Sequence, residues 1–153
     1  MGDRALWKAP GLVPSLAFRD VPSAVEWLSR AFGFRERSEA RLSWPGGCLT
    51  WMELGDVLIS LTTEGAHELR SPESVGGVSV GLKVYVDDVD EHFQRAKAAG
   101  ATILSEPEGG FWGGRIYRAR DLAGHQWEFS QRGRDLEASE WRLPPGLERG
   151  VRA

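Results

Sequence analysis

Two stretches of the chain carry side chains able to do chemistry at a spacing that brings them together. Residues 78–86 alternate Val78, Val80, Leu82, Val84 and Val86 with Ser79, Gly81, Lys83 and Tyr85. Residues 125–131 set Trp127 and Phe129 against Gln126, Glu128 and Ser130. Successive side chains of a strand point to opposite faces, so each apolar row is core and each polar row lies on the other side of a sheet. That side offers a carboxylate, an ammonium and a phenol. Glu128 among apolar atoms could act as a general base, with Tyr85, Lys83 or Arg118 stabilising an enolate or alkoxide. The same groups could instead form a Glu128–Lys83 ion pair, or hold a ligand, and a cationic ligand would find Glu128 and tryptophan faces. A solvated outer face has this pattern too, yet Tyr85, Leu58 and Val13 are poor choices for one, which favours a cleft.

Seven tryptophans in 153 residues point to an aromatic ligand surface or an aromatic core. Phe111-Trp112 lies between Gly109-Gly110 and Gly113-Gly114. With no helix following, this is no phosphate loop, and it reads as a hinged segment that could close over a flat ligand. Trp44 and Trp51 stay open between core and ligand surface. Residues 115–119 turn either Arg115, Tyr117 and Ala119 or Ile116, Arg118 and Arg120 toward the cleft, and Arg118 is kept as a candidate. His67 falls in a connecting stretch, His92 on a charged helix face, and His125 in a turn where local hydrogen bonding is expected. Cys48, the one cysteine, reads as a small buried apolar residue. With no disulfide possible within the chain, a cytoplasmic setting is expected. A formal charge of -3 and a pI of about 5.7 give no nucleic-acid footprint. The absence of an apolar run of about 18 residues argues against a membrane span. The charged N-terminus reads as no signal peptide.

The elements that must position these groups look like one unit written twice, 68 residues apart. Leu16, Phe18, Asp20, Val21, Val25, Leu28 and Ala31 correspond to Val84, Val86, Asp88, Val89, Phe93, Ala96 and Ala99. In the first unit, residues 12–18 read as a strand with Leu12, Leu16 and Phe18 on one face. Asp20 caps a helix that ends at Gly33. Strands follow at 34–44, 48–54 and 57–62. The second unit has a strand at 78–86, a helix capped by Asp87 or Asp88, a short strand at 102–105, a loop at 106–114 and a closing hairpin. The units span about 12–62 and 78–131, joined by a linker at 63–77. A polar tail, 132–153, is anchored by Trp141 and Leu143. Two such units related by a pseudo-two-fold make an α+β fold with a shared cleft.

Residues 12–131 resemble the glyoxalase / bleomycin-resistance / extradiol-dioxygenase superfamily, also called the vicinal oxygen chelate family. The likeness rests on Leu16-Ala17-Phe18-Arg19-Asp20 leading into Ala24-Val25-Glu26-Trp27-Leu28, on Phe32-Gly33-Phe34 and on Val86-Asp87-Asp88-Val89-Asp90. It is strongest from Gly113 to Phe129, where Asp121-Leu122-Ala123-Gly124-His125 precedes an alternating strand holding Glu128. The resemblance implies a single domain over 1–153, with two βαβββ units forming a curved mixed sheet around a concave cleft, in a homodimer whose units could be exchanged between subunits.

Family enzymes hold a divalent metal at four symmetric places, which here fall on Val13, Ser60, Gly81 and Glu128. Valine and glycine have no donor atom and a serine hydroxyl is a weak ligand, so the resemblance points to a member without metal or cofactor. The function it implies is sequestration of a small organic, aromatic ligand, with Glu128, Ser60, Lys83, Tyr85, Phe111, Trp112, Arg118, Trp44 and Trp51 as the binding residues. Neither nucleic acid nor membrane is expected as a partner. The alternative is a metal-independent isomerase, epimerase or lyase acting on a small carbonyl compound with Glu128 as base. A metal-dependent glyoxalase or dioxygenase is least supported by the donor count.

Overall fold

The structure is a computed structural model that describes residues 9–134 and 136–150. The N-terminal residues read for a signal peptide, and the last three of the tail, lie outside the described residues. Each unit opens with a strand and a capped helix. In the first, β1 (Ser15–Phe18) leads to α1 (Val21–Phe32). The Asp20 carboxylate accepts from the Ser23 amide at 3.1 Å, and Gly33 at φ 80° ends the helix. Val21, Ala24, Val25, Leu28, Ala31 and Phe32 recur at helical spacing and are buried as one stripe. The strands β2 (Arg35–Glu36), β3 (Leu42–Trp44), β4 (Gly47–Leu54) and β5 (Val57–Thr63) complete the unit. A short helix, α2 (Pro72–Val75), lies in the connection.

The second unit is β6 (Gly81–Tyr85), α3 (Val89–Ala98), β7 (Thr102–Gly109), β8 (Arg115–Arg120) and β9 (Gln126–Gln131). Asp88, rather than Asp87, caps α3 by accepting from the Glu91 amide at 3.0 Å.

The repeat holds at the level of register. In each unit the first strand pairs parallel with the last, Ser15 opposite Ser60 and Lys83 opposite Glu128, an offset of 68 on both strands. The expectation of one curved sheet around a concave cleft is not met. There are two separate mixed sheets, ordered β1-β5-β4-β2 with β3 on β4, and β6-β9-β8-β7, and neither curls or closes. Period-2 alternation sorts the faces of a strand but carries no information about whether two sheets join edge to edge. Here the helices pack on each other, and the apolar inner faces of both sheets feed a common core.

Phe32 at the end of α1 contacts Phe129 at 4.7 Å and Trp127 at 5.5 Å, so the two units share an aromatic interior. His92, expected on a charged helix face, is instead half-buried in that interior. Its Nε2–H donates to the Phe32 carbonyl at 2.9 Å and its Nδ1 accepts from the Tyr117 hydroxyl, a tautomer set by the carbonyl, which can only accept. Burial holds the imidazole pKa below its ordinary value, and it drives the Tyr117 phenol upward.

Several boundaries differ from expectation. Leu12 lies outside β1 and is exposed, and β6 begins at Gly81, leaving Val78 and Val80 exposed. The strand expected over 34–44 is broken into β2 and β3 by a 3-10 turn at Ser38–Ala40. β7 runs on through Pro107 to Gly109, which an edge strand tolerates because its outer amides have no ladder partner. No helix among the described residues is long and apolar enough to cross a membrane.

Candidate functional site

The outer face of the second sheet brings together most of the chemistry-bearing residues. Glu128 on β9 stands between Lys83 on β6 and Arg118 on β8, one residue from each of three adjacent strands. Lys83 Nζ lies 2.8 Å from one carboxylate oxygen and Arg118 Nη2 lies 2.9 Å from the other. Glu128 is largely buried, whereas both cations are partly exposed. The open choice on residues 115–119 is settled by this pairing. Ile116 and Arg118 share the outer face, while Tyr117 is fully buried on the inner one.

Beside this row the turn between β7 and β8 folds back on itself, with the Gly110 amide donating to the Gly114 carbonyl at 2.8 Å. The glycines here make space for a ring. A Cβ built on Gly110 would come within 2.3 Å of the Trp112 ring and one on Gly114 within 2.5 Å, so both positions make room for the indole. Phe111 meets Trp112 edge-on at 5.1 Å, and Trp141 from the tail meets Phe111 at 5.5 Å. The tail is therefore seated on this turn, with Leu143 half-buried next to its aromatic anchor. Gly113, at φ 99°, admits the close approach of the Arg134 carbonyl. Lys83 Nζ lies 5.9 Å from the Trp112 ring centroid, which links the ion-pair row to the aromatic turn.

Between the turn, the sheet and the tail is a cavity of about 510 Å³, lined by Phe111, Trp112, Ile116, Arg118, Glu108 and Arg142 among others. Lys83 and Tyr85 do not line this cavity but a different groove of about 620 Å³, where the Arg132 guanidinium sits 4.5 Å from the Tyr85 ring. Arg142 was not singled out in the sequence. The one signal for it was its place next to Trp141, since a residue adjoining an anchor is held near whatever the anchor touches.

The remaining candidates are on the first sheet and do not line this cavity. Ser60 and Ser15 share a hydroxyl–hydroxyl hydrogen bond of 2.7 Å, and Trp51 stands opposite Ser60 in the ladder. Trp44 is 42% exposed and lies against Gly47, where a Cβ would overlap its indole. His125 bonds locally, its Nδ1 and its amide both within 3.1 Å of the buried Asp121 carboxylate, which also accepts from Trp127 Nε1 at 3.0 Å. Cys48 is buried.

The donor set does not fit a divalent metal. Of the four symmetric places, Val13 and Gly81 offer no donor, the Ser60 hydroxyl is taken by Ser15, and Glu128 is taken by two cations. No group of three His, Cys, Asp or Glu side chains able to hold an ion occurs among the described residues.

The family model of the Glyoxalase/Bleomycin resistance protein/Dioxygenase superfamily matches residues 13–129. The crystal structure of TioX from Micromonospora sp. ML1 is similar at 36% identity and a TM-score of 0.67, covering 80% of this chain and 98% of that one. Uncharacterized proteins of Mycobacterium bovis and Mycobacterium tuberculosis are each 32% identical over 137 residues, 86% of this chain. The match covers 89% of the M. bovis protein and 79% of the M. tuberculosis one.

Proposed function

The chain belongs to the Glyoxalase/Bleomycin resistance protein/Dioxygenase superfamily, and we propose that within it this protein works without a metal, sequestering a planar aromatic small molecule. The observation that carries the reading is the cavity walled by Phe111 and Trp112 on the outer face of the second sheet. Its volume falls within the range of about 300–1,000 Å³ usual for small-molecule sites. Two rings held edge-on offer flat faces and edges that accept many ring systems. Arg118, with Lys83 and Glu128 behind it, supplies polar recognition at one side.

The enzymatic alternative has less support. A general base needs a free lone pair aimed at a substrate proton, and each Glu128 oxygen already faces a cation. We extend the proposal to a homodimer. Val75, Val78 and Val80 are exposed together beside the unpaired edge of β1, around a smaller cavity of about 260 Å³.

Native mass spectrometry tests both parts. The protein purified without added metal, then incubated with nickel, zinc and iron(II), is expected to remain a metal-free dimer. One metal per site would overturn the metal-free reading, and a monomer at all concentrations would overturn the dimer. A naphthalene probe such as 2-naphthamide is expected to quench tryptophan emission saturably, and loss of that signal in Trp112→Ala would locate the site.

A further inference from the structure

We infer that the ligand of this cavity is an anion, a planar aromatic bearing a carboxylate or similarly acidic oxygen that pairs with Arg142. The inference rests on the reading of the cavity as a small-molecule site and narrows its ligand class. Two independent observations carry it.

The first is charge. Glu128 is the carboxylate a cationic ligand would seek, and it is held by Lys83 and Arg118 at 2.8 and 2.9 Å. Arg142 lines the same cavity and makes no hydrogen bond or ion pair among the described residues. Glu108 is the one carboxylate lining the cavity, exposed on the edge strand β7. Among the described residues that line the cavity, Arg118 and Arg142 outnumber Glu108, in a chain whose formal charge is -3. A cationic aromatic would enter beside two guanidiniums and find the central carboxylate neutralised. An anion would meet a free guanidinium, whose planar fork matches a carboxylate.

The second is hydrogen-bonding capacity. Three buried side-chain atoms that can donate have no hydrogen-bond partner among the described residues: Ser105 Oγ, Ser130 Oγ and Trp141 Nε1. All three are on the outer face of the second sheet or on the tail segment seated at its turn. Ser105 stands opposite Arg118 in the ladder and Ser130 opposite Ile116, and both of those partners line the cavity. Buried polar atoms are ordinarily paired, so their concentration in one place marks missing acceptors. The indole N–H can only donate and the serine hydroxyls can donate, and a carboxylate or phenolate offers acceptors alone.

Calorimetric titration of the full chain with three probes of one ring system tests the inference: 2-naphthoate, 2-naphthamide and 2-naphthylmethylammonium, each at low and high salt. The expected order is naphthoate tighter than the amide by about tenfold, and the ammonium weakest, with the naphthoate advantage shrinking as salt screens it. Arg142→Gln, a change at an exposed position, is expected to remove most of that advantage. An ammonium that binds as tightly as naphthoate overturns the anion inference, a naphthoate preference that survives Arg142→Gln overturns the pairing with Arg142, and either leaves the aromatic site standing. Failure of all three probes to bind overturns the site reading and the inference together.

Discussion

Ser15 opposite Ser60 on the first sheet corresponds, 68 residues on, to Lys83 opposite Glu128 on the second. The backbone places both pairs alike, on the outer side of a parallel ladder. On the first sheet the pair closes on itself through a hydroxyl–hydroxyl bond. The nearby carboxylate, Glu53, is satisfied within its own sheet by Arg35 and Arg37, which hold its pKa below the ordinary value. On the second sheet the pair is charged, extends to Arg118, and lies beside a turn and a tail that border an open cavity. A shared register thus fixes where side chains stand, and the cover over one copy decides which of them can meet a ligand.

The largest expected effect that separates the two faces is on affinity. Trp112→Ala is expected to weaken 2-naphthamide by about tenfold to a hundredfold, since it removes ring burial worth roughly 1.5–3 kcal/mol. Trp51→Ala on the first sheet is expected to leave affinity within about twofold, and equal losses would erase the distinction.

Next comes the contrast of the two buried carboxylates. Glu53→Gln is expected to cost about 1–3 kcal/mol in urea unfolding because it strands Arg37, which is only 15% exposed. It should leave ligand affinity unchanged. Glu128→Gln is expected to cost about 1 kcal/mol or less, because Lys83 and Arg118 are 55% and 39% exposed and can rehydrate. That variant should raise 2-naphthoate affinity by freeing two cations, and a fall would contradict the charge argument.

The interior common to both sheets has a pH dependence of fixed sign. His92 is kept neutral in the folded protein, below its ordinary pKa of 6.5, chiefly by burial. The unfolded chain takes up a proton near 6.5 while the folded one does not, so this contribution is complete above that pH and is lost progressively below it. The urea midpoint should fall from pH 7 toward pH 5, less steeply in His92→Gln. The smallest effect is Arg35→Ala, expected to cost about 0.5 kcal/mol or less by thermal unfolding, because Arg35 is 80% exposed.

Much of this was legible in the residues. Asp20 and Asp88 marked helix starts because a short carboxylate before an apolar stripe can satisfy free amides. The alternation around Trp127 and Glu128 assigned faces to β9 because a strand has only two. His92 was misplaced because its neighbours on α3 are charged, and the pocket that receives it is built from Phe32, Tyr117 and Phe129 on other elements. Val78 and Val80 continued the apolar row of β6 beyond the point where β9 offers a partner, and a pattern does not show where its partner ends. The glycines around Trp112 suggested freedom of movement, whereas their missing Cβ atoms are filled by the indole.

The sequence by itself determined the two βαβββ units, their 68-residue register and the side of each strand that is polar, because these follow from local periodicity and capping. Tertiary structure decided that the sheets stay separate and open, that Arg118 and not Tyr117 joins Glu128, and that Trp141 and Arg142 reach the Phe111-Trp112 turn. Those outcomes depend on contacts between segments distant in the chain, where packing and charge pairing act and local pattern carries no information.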